Sequence, residues 1–279
     1  MAAPNPTTEA TVAETTPLLS SNPSDPATPA APGEPGDAAP SAFARSPAAS
    51  GPAFLLAPCT YTDTPQMASI AASAYLPSGF VQYLNPNAYT YLIDYIRGFH
   101  LRVRARMLSS HGHAYKAYLA SNPATVLGYV QYTSPHPRSL EPFWRRWWFK
   151  ARLVWDSWGF KDRSMDSRAV GFLMRYVNPC KKFIKEGEEY YVQSLAVSPR
   201  MQRKGVGKAL MIPLLEEAER EGRRVWLEAS PHGEALYRSL GFILKEKFEM
   251  QMEIEETGGG VMVWEPSWLR DGIREGEEV

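Results

Sequence analysis

A short run of glycine and basic residues, Gln202 to Lys208, has the composition of a phosphate-binding turn. It lies between an apolar run that predicts a strand, Tyr190 to Val197, and a periodic run that predicts a helix, Val206 to Glu221. The first amides of a helix have no partner inside that helix, and they carry the positive end of its dipole. Because glycine lets the backbone approach a pyrophosphate closely and basic side chains add charge, this turn predicts a site for a phosphate-bearing ligand.

The spacing of the turn excludes two common nucleotide-binding motifs. A Walker A loop needs Ser or Thr after its Gly-Lys pair, whereas Ala209 follows Lys208 here. A dinucleotide-binding fingerprint needs a small third residue where Leu210 stands. The pattern that does match is Gln-x-x-Gly-x-Gly after a strand ending in Leu195-Ala196-Val197. It resembles the acetyl-CoA-binding signature of the GNAT superfamily of N-acyltransferases.

A second pattern follows in the chain, after a run that predicts a buried strand. Ser230 is a helix-capping residue, Pro231 suits the first helical position, and Gly241 suits the left-handed residue past the helix end. The stretch Ala-Leu-Tyr-x-x-Leu-Gly-Phe, which contains Tyr237, resembles the late GNAT helix that presents a tyrosine to the CoA sulfur. The preceding Leu-Glu-Ala-Ser, residues 227–230, is similar to uncharacterised fungal GNAT-domain proteins.

The order of the predicted elements gives the fold class. Strands are predicted over 53–57, 113–120, 125–133, 190–197, 224–229, 243–250 and 261–264, and helices from 64 and over 89–107, 206–221 and 231–240. Hairpins at both ends flank a strand–helix–strand centre, which predicts an α/β fold with a mixed sheet. The GNAT acyl-CoA N-acyltransferase fold has this order, so the resemblance implies that fold over about residues 53 to 265.

The resemblance also implies which residues form the site. The cofactor-binding residues would be Leu195, Ala196, Val197, Gln202, Arg203, Lys204, Gly205, Val206, Gly207 and Lys208. Amides of the turn would hold the pyrophosphate of acetyl-CoA, and the strand backbone would run beside the pantetheine arm and offer an N–H to the thioester oxygen. Tyr237 is the candidate acid, because a phenol with a pKa of about 10 can protonate a thiolate whose conjugate acid lies near ~8.5. No bound metal is expected.

The general base is left open by the sequence. Members of the superfamily often carry Glu or His two and four residues before the Leu-x-Val, where this chain has Gln193 and Tyr191. Strand alternation puts these two side chains on one face, but neither is a good base. Glu228 is the best remaining candidate and His232 the second, although a surface or capping role is open for each.

Two functions from different classes follow. The first is an N-acetyltransferase that transfers an acetyl group from acetyl-CoA to an amine of a small molecule or peptide. The second is a CoA-binding protein with a degenerate GNAT fold and a binding or regulatory role. The absence of an acid or histidine at Gln193 and Tyr191, in the predicted strand 190–197, favours the CoA-binding protein. Tyr237 and the glycine turn favour the N-acetyltransferase.

Segment 139–188 interleaves aromatic with basic residues and is predicted to be a helical insertion. Three interpretations compete for it: a lid over the acceptor site, an interfacial amphipathic helix with Trp and Arg at headgroup level, or an insertion packed on the core. We expect a lid or core packing rather than membrane contact, because long aromatic insertions usually bury their rings.

Composition sets the remaining expectations. The 30 basic and 30 acidic residues balance, so no overall basic field indicates nucleic acid as a partner. Two cysteines in unlike contexts indicate neither a disulfide framework nor a zinc site, and they favour a reducing compartment, the cytoplasm or the nucleus. No secretory signal is recognised at the N-terminus. The expected partners are acetyl-CoA and an amine acceptor, in a monomer or homodimer.

The chain divides by composition into three predicted parts. Residues 1–51 are rich in Pro, Ala, Ser and Thr and predict a disordered tail. Residues 52–268 predict the N-acetyltransferase domain, which includes the insertion, and residues 269–279 predict a frayed C-terminus.

Removal of the tail provides a first test. A chain that starts at Gly51 should melt at the same temperature as the full chain and bind CoA with the same affinity, because the tail has too little apolar surface to offset its ordering entropy. Scanning calorimetry and titration calorimetry on both chains measure this. A shortened chain that fails to fold would make the tail an integral part of the domain.

Overall fold

A computed structural model describes residues 54–137, 143–171, 183–184, 187–247 and 259–269. Within these residues seven strands form one sheet with the order β1-β2-β3-β4-β5-β7-β6. The strands are β1 Phe54–Pro58, β2 Gly112–Leu119, β3 Gly128–Thr133, β4 Tyr190–Val197, β5 Val225–Ala229, β6 Ile243–Lys247 and β7 Gly260–Trp264. The helices are α1 Thr64–Tyr75, α2 Gly79–Leu84, α3 Leu92–Met107, α4 Phe143–Ser157, α5 Val206–Glu221 and α6 Pro231–Ser239.

The sheet is mixed, as the sequence predicts. Strands β1 to β4 form an antiparallel meander, β4 and β5 are parallel, and β7 pairs antiparallel with both β5 and β6. Helix α5 makes the crossover between β4 and β5 that a parallel pair requires. The predicted pairing of the last two strands is confirmed, but β7 inserts between β5 and β6.

Helices cover both faces of the sheet. On one face, α5 buries Leu210, Met211 and Leu214 in a cluster that includes Val130 of β3. On the other face, α1 and α3 pack around Tyr129 of the same strand. Adjacent residues of β3 therefore point into different cores, which explains why this strand is buried on both sides and lacks a polar–apolar alternation.

Several predicted boundaries differ from the structure. The second long helix begins at Leu92 rather than Tyr89, and β3 begins at Gly128 rather than Thr125. Helix α2, Gly79–Leu84, was not predicted, because its six residues are too short for a periodic pattern. The predicted tail, residues 270–279 and parts of the insertion lie outside the described residues, so the predicted domain divisions stay predictions.

Buried phenols give the fold a titration signature. Burial raises the pKa above its ordinary value for six tyrosines: Tyr75, Tyr95, Tyr129, Tyr132, Tyr190 and Tyr237. In the unfolded chain these phenols lose their protons near pH ~10, whereas the folded protein keeps them. The unfolded state therefore binds fewer protons above that pH, and stability falls as the pH rises further.

We expect these six tyrosines to ionise only as the protein unfolds in alkali. Tyrosinate absorbance near 295 nm and the far-ultraviolet dichroism of the helices should be followed on one sample as the pH rises. The final increase in tyrosinate absorbance should occur at the same pH as the loss of helical dichroism. The control is the same chain in strong denaturant, where all 14 tyrosines should titrate together. Complete tyrosinate formation before any loss of helix would contradict this assignment.

Candidate active site

The central feature of the site is a gap in the sheet between β4 and β5. Their parallel pairing covers three residue pairs and ends at Val192 and Leu227. On its other edge, β4 pairs with β3 at Ser194 and then at Val192, so Gln193 is an extra, bulged residue. A β-bulge bends its strand and increases the local twist. The bulge therefore coincides with the point where β4 leaves β5.

A cavity of about 750 Å³ opens where the two strands separate. Its walls come from β4, β5, the glycine turn, α6 and the region from α1 to α2. Of the predicted site residues, it is lined by Leu195, Ala196, Val197, Gln202, Arg203, Gly205, Val206, Gly207, Lys208, Glu228 and Tyr237. Lys204 is the exception: its ammonium lies 3.9 Å from the sulfur of Met201. The structure thus brings residues from four elements to one cavity, while their roles stay predictions.

The glycine turn has the backbone geometry of an anion site. Gly205 caps α5 in the left-handed conformation, with φ of 82°, and Arg203 also has a positive φ of 63°. The first bond of the helix runs from the Ala209 amide to the Gly205 carbonyl, at 3.0 Å. The amides of residues 206–208 come before it, so no carbonyl inside the helix can pair with them. These three residues line the cavity together with Arg203, and both Arg203 and Lys208 are exposed.

The two glycines of the turn serve different needs. A side chain at Gly205 would meet no heavy atom within 4 Å, so this position requires glycine for its positive φ. A Cβ at Gly207 would lie 3.1 Å from Leu236 Cδ2 of α6 and 3.7 Å from Val197 Cγ2 of β4. Gly207 therefore allows α5 to approach both neighbours closely. The Gln202 side chain ties the turn to β4 by donating to the Val197 carbonyl at 3.2 Å.

Helix α6 carries the predicted acid into the cavity wall. Ser230 caps the helix, since its hydroxyl accepts from the Gly233 amide at 3.2 Å. Tyr237 is 8% exposed, and its ring packs edge-on against Phe242 with 5.7 Å between centroids. Burial raises the pKa of the Tyr237 phenol, and the nearby Tyr75 phenol adds to the rise. The Tyr237 phenol therefore stays protonated at neutral pH.

Tyr75, at the end of α1, is a cavity residue that the sequence analysis missed. Its hydroxyl donates to the Leu195 carbonyl of β4 at 2.9 Å and lies 3.2 Å from the hydroxyl of Ser194. The Tyr129 hydroxyl contacts the same Ser194 oxygen at 3.1 Å. These bonds hold the bulged part of β4 against α1. A tyrosine at the end of a helix gave no local signal, because its partners lie about 120 positions away in the chain.

Gln193 and Tyr191 do not share an environment, contrary to the expectation from strand alternation. Gln193 lines the cavity, whereas Tyr191 packs beside Trp226 on another part of the sheet. The bulge at Gln193 breaks the regular alternation between them. Among the described residues, the side-chain oxygen of Gln193 is buried and has no hydrogen-bond partner. A buried acceptor without a partner costs roughly 1–3 kcal/mol, so a ligand N–H at this point would be stabilising.

The two candidate bases both lie at the cavity. Glu228 is half-buried on β5, where its backbone pairs with Val261 of β7. His232 is exposed on the first turn of α6 and belongs to the rim. Glu228 directly follows Leu227, the last residue of β5 that pairs with β4, and so lies at the gap between the strands. His232 is the more solvated of the two candidates.

Helix α4 does not form a lid over this cavity. None of the described residues of segment 139–188 lines it. The expectation that the insertion buries its rings is also wrong for α4, because Trp144, Trp147, Trp148 and Trp155 are each more than half exposed. The side of α4 that meets the protein contacts α3 and Tyr61 instead, with Phe149 stacked 4.1 Å from the Tyr61 ring. No helix within the described ranges is long and apolar enough to cross a membrane.

The gap between the strands, the glycine turn and the buried Tyr237 meet at one cavity. Residues 127–242 match the model of the acetyltransferase (GNAT) family, and this range contains both sequence signatures. This stretch of the chain is similar to the acetyltransferase (GNAT) family.

Several known proteins are similar to parts of this chain. An uncharacterised N-acetyltransferase of Methanocaldococcus jannaschii is 31% identical over 107 residues, which cover 37% of this chain and 47% of the relative. The match thus spans about half the length of that relative. A Corynebacterium glutamicum structure described as histone acetyltransferase HPA2 and related acetyltransferase covers 76% of this chain and 94% of its own, at 18% identity and a TM-score of 0.46. The PaiA N-acetyltransferase of Thermoplasma acidophilum, solved with coenzyme A, covers 76% and 98%, at 12% identity and a TM-score of 0.42.

Proposed function

We propose that this protein transfers an acetyl group from acetyl-CoA to an amine of a small molecule or peptide. The observation that carries the proposal is the coincidence of three features in one cavity. The strands part beyond Val192, the glycine turn stands at one side of the gap, and the phenols of Tyr75 and Tyr237 stand in its wall. Together these features suit a phosphate-bearing thioester.

The residues present fit acetyl-CoA. The amides of residues 206–208 and the exposed charges of Arg203 and Lys208 suit a pyrophosphate. Beyond Val192, β4 has no pairing with β5 among the described residues, so its backbone can bond the amides of a pantetheine arm as an added strand would. Bound acetyl-CoA supplies an activated acyl group to this site.

One cavity phenol, that of Tyr237, supplies the proton for the departing sulfur. Tyr237 donates its hydroxyl proton to the thiolate as the C–S bond breaks, and the resulting tyrosinate regains a proton from water. Tyr75, fixed on the Leu195 carbonyl, holds the strand against which the arm lies. Both phenols have a raised pKa because of burial, so both are neutral donors throughout the neutral range. Backbone N–H groups of β4 are suitable donors to the thioester oxygen.

An amine acceptor is supported by Gln193. Its buried and unpartnered oxygen can accept a hydrogen bond from an ammonium or amine N–H, which orients the nitrogen at the strand gap. An amide cannot remove the proton, and we assign that step to the carboxylate of Glu228, directly or through a water. Most amines have a pKa near ~10, so the reaction should accelerate as the pH rises toward that value.

The second candidate is a CoA-binding protein with little or no turnover. It is favoured by one observation, the presence of Gln193 where relatives of this superfamily often carry an acid or a histidine. Cofactor binding is common to both candidates, whereas release of free CoA in the presence of an amine is expected of the enzyme alone.

Gly205→Ala tests the cofactor site against a matched control. Alanine at a left-handed position costs roughly 1–2 kcal/mol of strain, so both Gly205→Ala and Gly159→Ala should lower the melting temperature slightly. Gly159 also has a positive φ, 67°, and empty space around it, but it lies after α4 and outside the cavity. We expect acetyl-CoA affinity, measured by titration calorimetry, to fall only for Gly205→Ala. A full-length protein that binds no CoA at all would end the proposal.

Tyr237→Phe tests the chemistry. Loss of the hydroxyl should lower kcat by roughly 10- to 1,000-fold and change CoA affinity far less, because the phenol acts on the leaving group. The control is Tyr95→Phe, which removes an equally buried hydroxyl that bonds Ala72 outside the cavity. Thiol release with a panel of small amines and peptides provides the assay. Undiminished turnover in Tyr237→Phe would make this tyrosine a packing residue.

A further inference from the structure

Helix α4 presents a stripe of tryptophans to solvent. Trp144, Trp147, Trp148 and Trp155 are 70%, 59%, 64% and 77% exposed, and Trp158, just after the helix, is 80% exposed. At 3.6 residues per turn, these positions fall within an arc of about 100° on one side of the helix. We call this set the tryptophan stripe.

The outward direction of the stripe is fixed by contacts on the opposite side of α4. Phe149 stacks on Tyr61, and Asp156 accepts a hydrogen bond from the buried guanidinium of Arg104. Arg97 of α3 donates to the Asp156 carbonyl at 2.7 Å. These contacts anchor the helix on α3. The tryptophans are therefore exposed while α4 is packed on the protein.

The stripe is large for a surface that faces water. An aromatic side chain buries 150–250 Å² in a protein, so five such rings at these exposures leave roughly 500–900 Å² of mostly apolar surface uncovered. The largest apolar patch on an ordinary monomer is about 300–600 Å² and is often functional. A patch of this size indicates an interaction surface.

Charge around the stripe indicates that the partner is anionic. The α4 sequence contains Arg145, Arg146, Lys150 and Arg152 but a single acidic residue, Asp156, which is already engaged by Arg104. Lys150 is exposed, and the Arg152 side chain is 62% exposed. The whole chain is neutral, but charges more than about 10 Å from a surface are screened at ordinary salt. The local excess of positive charge therefore determines which partner this surface attracts.

A cavity next to the stripe adds to this positive charge. It has a volume of about 440 Å³, and Trp148 lines it together with Arg97, Arg104 and Arg152. One terminal nitrogen of Arg104 is buried and has no hydrogen-bond partner among the described residues. Three guanidinium groups against the one carboxylate of Asp156 make this cavity suitable for an anionic headgroup.

We propose that α4 binds an anionic lipid bilayer through the tryptophan stripe, with the protein lying on the surface of the membrane. Indole rings prefer the headgroup level, where their apolar body and N–H are both satisfied, and basic side chains bond the phosphates. An amphipathic helix of this kind lies in the plane of the interface without spanning it. Ile93 of α3 is also 81% exposed and lies one helical turn before the Arg97 that bonds α4.

Vesicle flotation with the full chain tests the proposal. Binding should be strong to vesicles of phosphatidylcholine with added phosphatidylserine and weak to phosphatidylcholine alone. The variant W144A/W155A/W158A should lose about tenfold or more of its binding, because interfacial affinity scales with the buried apolar area. Raising sodium chloride from about 0.1 M to 1 M shortens the screening length from ~10 Å to ~3 Å and should also release the protein.

Two controls separate this role from a general loss of structure. Trp268→Ala removes a tryptophan that is 58% exposed elsewhere on the protein and should leave vesicle binding unchanged. K150E/R152E should remove the preference for anionic vesicles while the tryptophans remain. The melting temperature and CoA affinity of the triple tryptophan variant should equal those of the unchanged protein, since none of its three sites lines the 750 Å³ cavity.

Three results would overturn the proposal. The first is equal flotation with anionic and neutral vesicles, and the second is full binding by the triple tryptophan variant. The third is a dimer in vesicle-free sedimentation velocity that the triple variant dissociates, because the stripe would then be an interface between two copies of the chain. None of these results depends on acetyl transfer, so the proposed function is tested separately.

Discussion

The separation of β4 from β5 is the constraint on which the candidate site depends. A parallel pair inside a sheet normally satisfies its backbone groups along its whole length, but this pair ends after three residue pairs. The bulge at Gln193 turns β4 away, so the groups of the following residues face a cavity. The same parallel connection requires the helical crossover α5, whose N-terminus must lie at the carboxyl edge of β4. The parallel connection therefore fixes the position of the glycine turn, and the bulge opens the gap beside it.

The cavity wall relies on neutral rather than charged donors. Tyr75, Tyr129 and Ser194 form a bonded group on one side of β4, and Tyr237 stands in the wall formed by α6. A buried phenol with a raised pKa keeps its proton without the desolvation penalty of an ion. Hydrogen bonds in a site of low dielectric are also stronger than in water. Such a wall offers neutral hydrogen-bond donors without the desolvation penalty of a buried ion.

The sequence predicts what is local and misses what is distant. The range of α5 is predicted to the residue, and α6 nearly so, because turns, caps and helical periodicity are encoded in neighbouring residues. The glycine turn is found for the same reason. The bulge at Gln193 and the contact of Tyr75 with Leu195 are not found, because each depends on a strand or helix that is remote in the chain. The place of β7 between β5 and β6 is likewise a matter of pairing, which periodicity does not report.

The error about α4 has a specific physical cause. Burial of aromatic rings is the usual outcome for an insertion, but the surface that α3 offers to α4 carries the guanidinium groups of Arg97 and Arg104. These guanidinium groups bond Asp156, so the side of α4 that carries Asp156 packs on α3. The tryptophans of α4 then face outward. Arg104 is 4% exposed, and a buried guanidinium strongly requires its carboxylate partner, so this orientation of α4 is firm. If instead the tryptophans held α4 on the protein, a bilayer could bind them only by detaching the helix. Because Asp156 and Phe149 hold it, the domain can keep its structure while the tryptophans bind a second surface.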